Sequence, residues 1–387
     1  MLRVLALGVI LLALGLFLPQ SSGAEGPPAI RIGATVSLSG RLMEPSEMVR
    51  NAMRLWEKQA NARGGLLGRK VKLVLYDDKS RADLARSLYR KLVDQDKVDL
   101  VLSPYGTSLT LAASEVTESR KVVMVAGPAA GDPIWQRGYK YIFGVHAPAE
   151  RYLIGFLDVI ARQGLEKVAI IYEETPFNKA TANGAKEWAG RLGLKVVFFQ
   201  AYRRGKQNFP RLLGECRATR PDALILCSYP QDSHALMAAL AQIKYRPKAL
   251  CETIGPAMPS FYELVGETAT GVFGPSQWEP DTRIPFPGSK EFIKNFKAFI
   301  HKTPSYHAAS AFAACQILER AVTHNQSLDQ DKLRDYILSL ETVTISGRFR
   351  VDGTGMQMGH DTLLIQWQNG KKEIVYPTVM QTAAPRF

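Results

Sequence analysis

The residues best equipped for chemistry in this chain sit where short apolar runs stop. One such end reads Ser103-Pro104-Tyr105-Gly106-Thr107-Ser108, with a helical pattern starting at the hydroxyls. Hydroxyls, free backbone N–H groups and the positive end of a helix dipole together suit a carboxylate or other anion. Plain helix capping is the competing role for Thr107 and Ser108, and on spacing alone it is the commoner one. Other apolar runs end in Ser37-Leu38-Ser39-Gly40, in Ala126–Gly131, in Tyr172-Glu173-Glu174-Thr175-Pro176-Phe177, in Ser228-Tyr229-Pro230 and in Glu252-Thr253. Small, hydroxyl and aromatic side chains recur there, with few titratable groups. Glu173-Glu174 could form a carboxylate pair, though a solvated loop is the simpler reading. Asp77-Asp78 closes a strand, where carboxylates often cap the next helix.

Catalytic signatures are missing. There is no GxSxG elbow, no HExxH, no GxxxxGK[ST] and no GxGxxG after a strand. An exported α/β hydrolase would need the elbow. Gly353-Thr354-Gly355 reads as a tight turn. The six histidines are scattered, and the four cysteines (Cys216, Cys227, Cys251, Cys315) form no CxxC pair and have no companion histidine at metal spacing. Neither a metal nor a cofactor is expected. The cysteines read as small buried hydrophobes, with a Cys227–Cys251 bond between adjacent strands left open.

The elements that must position these ends alternate regularly. Strands are expected at 30–37, 70–76, 100–103 and 122–125, with helices at 47–62 (capped by Ser46), 82–95 and 108–119. After residue 143 the rhythm restarts, with strands at 168–172, 195–199, 223–227, 249–251 and 271–273. Helices are expected between them at 150–163, 177–191, 209–218 and 231–243. Strands apolar along their whole length are covered on both faces, which implies parallel sheets and doubly wound α/β lobes. A Pro-rich stretch after Pro275 reads as a linker. Helices are then expected at 290–301, 306–323 and 329–340, followed by short antiparallel strands with turns at residues 352–355 and at Asn369-Gly370. In such sheets ligands bind beyond the carboxyl ends of the strands, where the residues above lie.

Composition bounds the class. With 387 residues, 46% hydrophobic and 22% charged, the chain is globular and has length for two or three domains. Arg3, an apolar run over residues 4–18 and the small residues Ser22-Gly23-Ala24 read as a secretory signal peptide cleaved after about Ala24. The run is short for a membrane anchor. The net charge of +13 is dispersed, with runs such as Arg203-Arg204 and Lys371-Lys372 no longer than pairs. That describes a solvated surface rather than a nucleic-acid binder.

Four segments, in this order, resemble the type I periplasmic solute-binding proteins, and more closely the branched-chain amino acid (Leu/Ile/Val) binding family of ABC transporters. They are residues 30–40, residues 62–78 with Ala62-Arg63-Gly64-Gly65-Leu66-Leu67-Gly68-Arg69-Lys70-Val71, residues 101–110 and residues 306–321. The resemblance implies two doubly wound parallel-sheet lobes joined by a three-strand hinge. One lobe would be 29–144 plus 279–346, the other 145–278 plus 347–387. It also implies that Thr107, flanked by Tyr105 and Ser108, holds the ligand carboxylate. Backbone contacts fall on Ala129 and Gly131, and aromatic contacts on Phe177 and Tyr229. The acid that receives the ligand's amine falls on Glu252, or on Thr253 with a one-residue gap, and Trp278 falls near the cleft. The chain departs from the family at Gly131, where a Thr is common, at Phe177, usually Tyr, and in the loop Arg41–Pro45. The implied role is a periplasmic, monomeric, non-enzymatic binding protein. It would deliver an amino acid or related small carboxylate or amide to a membrane permease of an ABC transporter. A clamshell sensor presenting its ligand to a separate membrane receptor is the alternative.

Overall fold

The computed structural model describes residues 27–205, 207–281, 284 and 286–387; the expected signal segment lies outside the described residues. The first sheet is built from β1 (Ile30–Val36), β2 (Val71–Asp77), β3 (Leu100–Leu102), β4 (Met124–Ala126) and β5 (Ile142–Gly144), in the order β2-β1-β3-β4-β5. Every pairing in it is parallel. Helices α1 (Met43–Ala62), α2 (Ala82–Arg90) and α3 (Thr107–Ser119) connect these strands. Side-chain alternation distributes each strand between two cores. Leu100 and Leu102 join the core under α1, while Val101 joins Ala113 and Val116 beneath α3.

The second sheet has seven strands. β6 (Lys167–Glu173), β7 (Lys195–Tyr202), β8 (Ala223–Cys227), β9 (Ala249–Glu252) and β10 (Val272–Ser276) are interleaved with α5 (Pro176–Arg191), α6 (Phe209–Ala218), α7 (Pro230–Gln242) and α8 (Phe261–Val265), and α4 (Ile154–Arg162) precedes them. The order is β14-β13-β10-β9-β8-β6-β7, in which β13 (Leu363–Gln368) and β14 (Lys371–Tyr376) run antiparallel. The expected antiparallel tail is therefore an edge of this sheet, turned at Asn369-Gly370. Between the two visits to it, the chain returns to the first lobe as α9 (Ser289–Ile300), α10 (Tyr306–Asn325) and α11 (Gln330–Ser339), plus a hairpin of β11 (Thr342–Thr344) and β12 (Gly347–Phe349). The alanine-rich face of α10 packs closely on α1 and β4, and that seating carries its first residues to the end of the sheet.

Three segments cross between the lobes, beginning at residues 145, 277 and 350. They are tied side by side. Gln277 accepts from the Ala147 N–H at 3.0 Å, and Gln357 donates to the Val145 carbonyl at 3.0 Å. Lys372 pairs with buried Glu279 at 2.8 Å. The stretch expected as a linker after Pro275 is one of these crossovers, and Pro275 itself lies within β10.

Local corrections have physical reasons. Helix α1 starts at Met43, not after Ser46, because Pro45 falls in its first turn, where a missing N–H costs nothing. The Ser46 hydroxyl instead accepts the Ser37 N–H at 2.7 Å. Asp78 is buried, accepting from Thr35 and Ser37 and from the Ser80 N–H, so it locks the β1 and β2 ends together. All four cysteines are free and buried, which closes the Cys227–Cys251 alternative. Among the described residues no helix is long and apolar enough to cross a membrane.

Candidate functional site

A small cavity, with free space of about 20 Å³, lies between the carboxyl ends of the two sheets. It is lined from one lobe by Tyr105, Gly106, Thr107, Pro128, Ala129, Ala130, Tyr306 and His307, and from the other by Phe177, Tyr229 and Ile254. His146 and Tyr152 come from the first crossover.

Helix α3 aims its N-terminus at this space. Its N-cap is Gly106, with φ +88°, and no side chain caps the first turn. The capping role expected for Thr107 and Ser108 is therefore not taken up. The Thr107 hydroxyl accepts the Gly131 N–H at 3.0 Å, which leaves its own hydrogen to donate to an anion. A β-carbon on Gly131 would lie 2.4 Å from the Thr107 γ-methyl and 2.6 Å from its hydroxyl oxygen. The departure at Gly131 is thus a packing consequence: the Thr107 side chain fills the room a larger residue would need.

Aromatic rings wall the rest. Tyr105 meets His307 edge-on with centroids 5.1 Å apart, and Tyr152 meets Phe177 at 5.3 Å. Phe177 and Tyr229 lie 6.1 Å apart, and His307 stacks on Tyr306 at 3.8 Å. Burial raises the phenols, Tyr229 up to about 12. It pushes the imidazoles down, His146 well below its ordinary value and His307 to about 3, with the Lys372 charge a lesser cause at His307. At neutral pH the lining is therefore uncharged. His146 Nε2 is buried with no hydrogen-bond partner.

The expected residues divide. Thr107, Tyr105, Ala129, Phe177 and Tyr229 converge on the cavity. Gly131 supports Thr107 from behind, and Ser108 lies beside it, half-buried and outside the lining. Glu252 does not reach the cavity. Its side chain accepts from the Ser233 hydroxyl on α7, its other oxygen is unpaired, and burial raises it to about 8. Thr253 clamps Ser228, donating to its carbonyl and accepting its N–H. Trp278 is fully buried, donating to Ser289 and packed on Phe292. The sequence reading did not single out His146, Tyr152, Ile254 or His307, nor Tyr306 as a contact. The rule that ligands sit beyond strand ends, applied after β5 as well, would have reached His146.

Contacts across the mouth hold the lobes together. Arg41, from the loop after β1, pairs with Glu173 at the end of β6, and its guanidinium lies 4.9 Å from the Tyr229 ring centroid. Glu173 is buried and also accepts from Asn178 at 3.2 Å, so the solvated-loop reading holds only for Glu174, which is exposed and pairs with Arg203. Burial raises Glu173 while the Arg41 charge pulls it back down. Ser260 donates to Glu44 across the same gap. Among the described residues no cluster of His, Cys, Asp and Glu could hold a metal ion.

Two doubly wound lobes, three crossovers and an uncharged, anion-ready cavity between them define a solute-binding clamshell. A family model described as periplasmic binding protein matches residues 29–372, and the chain belongs to that family. The Leu/Ile/Val-binding protein homolog 8 of Brucella suis is 25% identical over 393 residues, covering 97% of each chain. Among solved structures, the substrate-binding protein of a branched-chain amino acid transporter from Streptococcus pneumoniae, in complex with isoleucine, superposes with a TM-score of 0.80. It is 20% identical, covering 89% of this chain and 98% of that one. A solute-binding protein of an ABC transporter from Rhodopseudomonas palustris, in complex with 3,4-dihydroxybenzoic acid, gives a TM-score of 0.78. It is 19% identical, covering 89% and 95%. The four-segment resemblance and the two-lobed fold are confirmed, and the family binds solutes without transforming them.

Proposed function

We propose that the chain is the extracytoplasmic substrate-binding component of an ABC importer. It holds a small carboxylate between its lobes and presents the closed complex to a membrane permease. The lobes 29–144 plus 279–346 and 145–278 plus 347–387 move as bodies about the three crossovers. The observation that carries this reading is the start of α3. An uncapped helix N-terminus and a donor hydroxyl on Thr107 face a cavity closed between two sheets. Proteins of the same fold hold isoleucine in one case and 3,4-dihydroxybenzoic acid in another, so both chemistries fit between such lobes.

The test is a thermal-shift panel on protein stripped of carried-over ligand by partial unfolding. The panel pairs small carboxylates with their neutral amides. A ligand that binds only the folded state raises the melting temperature by mass action. At least one carboxylate raises it and its amide does not, and Thr107→Val lowers the affinity by about tenfold or more, as for a lost hydrogen bond to a charged group. A Thr107→Val variant that responds like the wild type removes the carboxylate from α3.

A further inference from the structure

Resting on that reading of the cleft, we infer that the solute is an aromatic carboxylate bearing a ring hydroxyl and no ammonium group. Three observations converge on it.

The first is the absence of a counter-charge for an amine. No carboxylate lines the cavity. The three acids two residues from a lining residue lie elsewhere: Glu252 turns toward Ser233, Asp132 accepts the Glu150 N–H at 3.1 Å, and Glu150 itself is exposed. Two residues beyond Glu252, the lining position is taken by Ile254, an apolar side chain. An ammonium sealed in this space would be an unpaired buried charge, at a cost of several kcal/mol. A carboxylate alone is provided for by Thr107 and α3.

The second is the shape of the walls. Tyr105 and Phe177, from opposite lobes, with Tyr152 and Tyr229 packed against them, line the space with aromatic rings. Such walls suit a flat ring, through offset and edge-on contacts.

The third is His146. It lines the cavity, is 3% exposed, its Nε2 is buried without a partner, and its ring is held against Tyr306. A buried polar atom left unpaired costs about 1–3 kcal/mol, and a ring hydroxyl placed away from the carboxylate removes that cost. Burial keeps the imidazole neutral, so it acts as a hydrogen-bonding group and not as a second anion site.

The experiment is titration calorimetry of the stripped full chain with 4-hydroxybenzoate, benzoate and L-leucine. The expected result is that 4-hydroxybenzoate binds at least tenfold tighter than benzoate, with no heat from leucine. His146→Leu should remove the preference for 4-hydroxybenzoate over benzoate, with a cooperative thermal unfolding transition showing that the variant is folded. His146→Gln, which keeps a hydrogen-bonding end, should retain part of the preference. Leucine binding in preference to both acids would overturn the inference, as would an equal loss of both acids in His146→Leu. If none of the three binds while another carboxylate of the thermal-shift panel does, the inference falls and the cleft reading stands. If no carboxylate shifts the melting temperature, both fall.

Discussion

Asp132 shows how a single residue near the cleft carries a pH signature. It is buried, accepts from the Glu150 N–H through one oxygen and leaves the other unpaired. Burial raises it to about 7, and the nearby Glu150 charge adds to the effect. The folded chain therefore keeps a proton that the unfolded chain has released above about pH 4. Stability falls as pH rises through the window from about 4 to 7 and carries the full penalty above it. Asp132→Asn removes that contribution. The difference in unfolding free energy between variant and wild type, from urea denaturation, should be near zero below pH 4 and reach on the order of 3 kcal/mol in the variant's favour by pH 8. A difference that does not change with pH would show the carboxylate to be ionised in the fold. The same scale explains what could be read in advance. That Thr107, Ala129, Phe177 and Tyr229 converge on one cavity was legible because each lies just past the carboxyl end of a strand. Glu252 was not, because strand side chains alternate and one residue decides the face. Cys251 turns into the core with Cys227 and Ile225, and Glu252 turns toward Ser233 on α7.

Helix α5 brings Phe177 to the cavity, and its packing is tested by two of its glycines. A β-carbon on Gly184 would lie 2.2 Å from the Glu150 carbonyl oxygen, a backbone atom that cannot step aside. Gly190, on the same helix, has nothing within 4 Å. Gly184→Ala should cost about 1–3 kcal/mol by overpacking. Gly190→Ala should add up to about 1 kcal/mol from helix propensity. Urea midpoints of the two variants should move in opposite directions; movement in the same direction would mean that α5 does not press on the first crossover. Element types and order were legible from apolar periodicity, as in the runs that became β6 and β8. Boundaries were less so where a tertiary contact decides them, as when Ser46 bonds the end of β1 and Pro45 starts the helix. The helix expected over 150–163 begins at Ile154, after a 3-10 turn over Ala149–Arg151.

At the scale of the molecule, the three crossovers and the Arg41–Glu173 pair define what must move. The sheets are each covered by their own helices, while the interface at the mouth consists of a few polar links over an aromatic-lined space. On the proposed reading, closure around a ligand would add the apolar contacts of Phe177 and Tyr229 to those links, and release would break them without disturbing either sheet. Nothing local in the sequence pairs Arg41 with Glu173, which lie 132 residues apart. Nor does spacing reveal that residues 289–349 return to the first lobe. Both depend on how the chain crosses between lobes, which only the resemblance to a family implied. The most direct measurement is small-angle scattering of the stripped chain with and without saturating 4-hydroxybenzoate. The account predicts a smaller radius of gyration on binding, with the saturated profile matching the closed structure described above. A profile unchanged by saturating ligand would contradict it, because a solute captured between hinged lobes must bring them together.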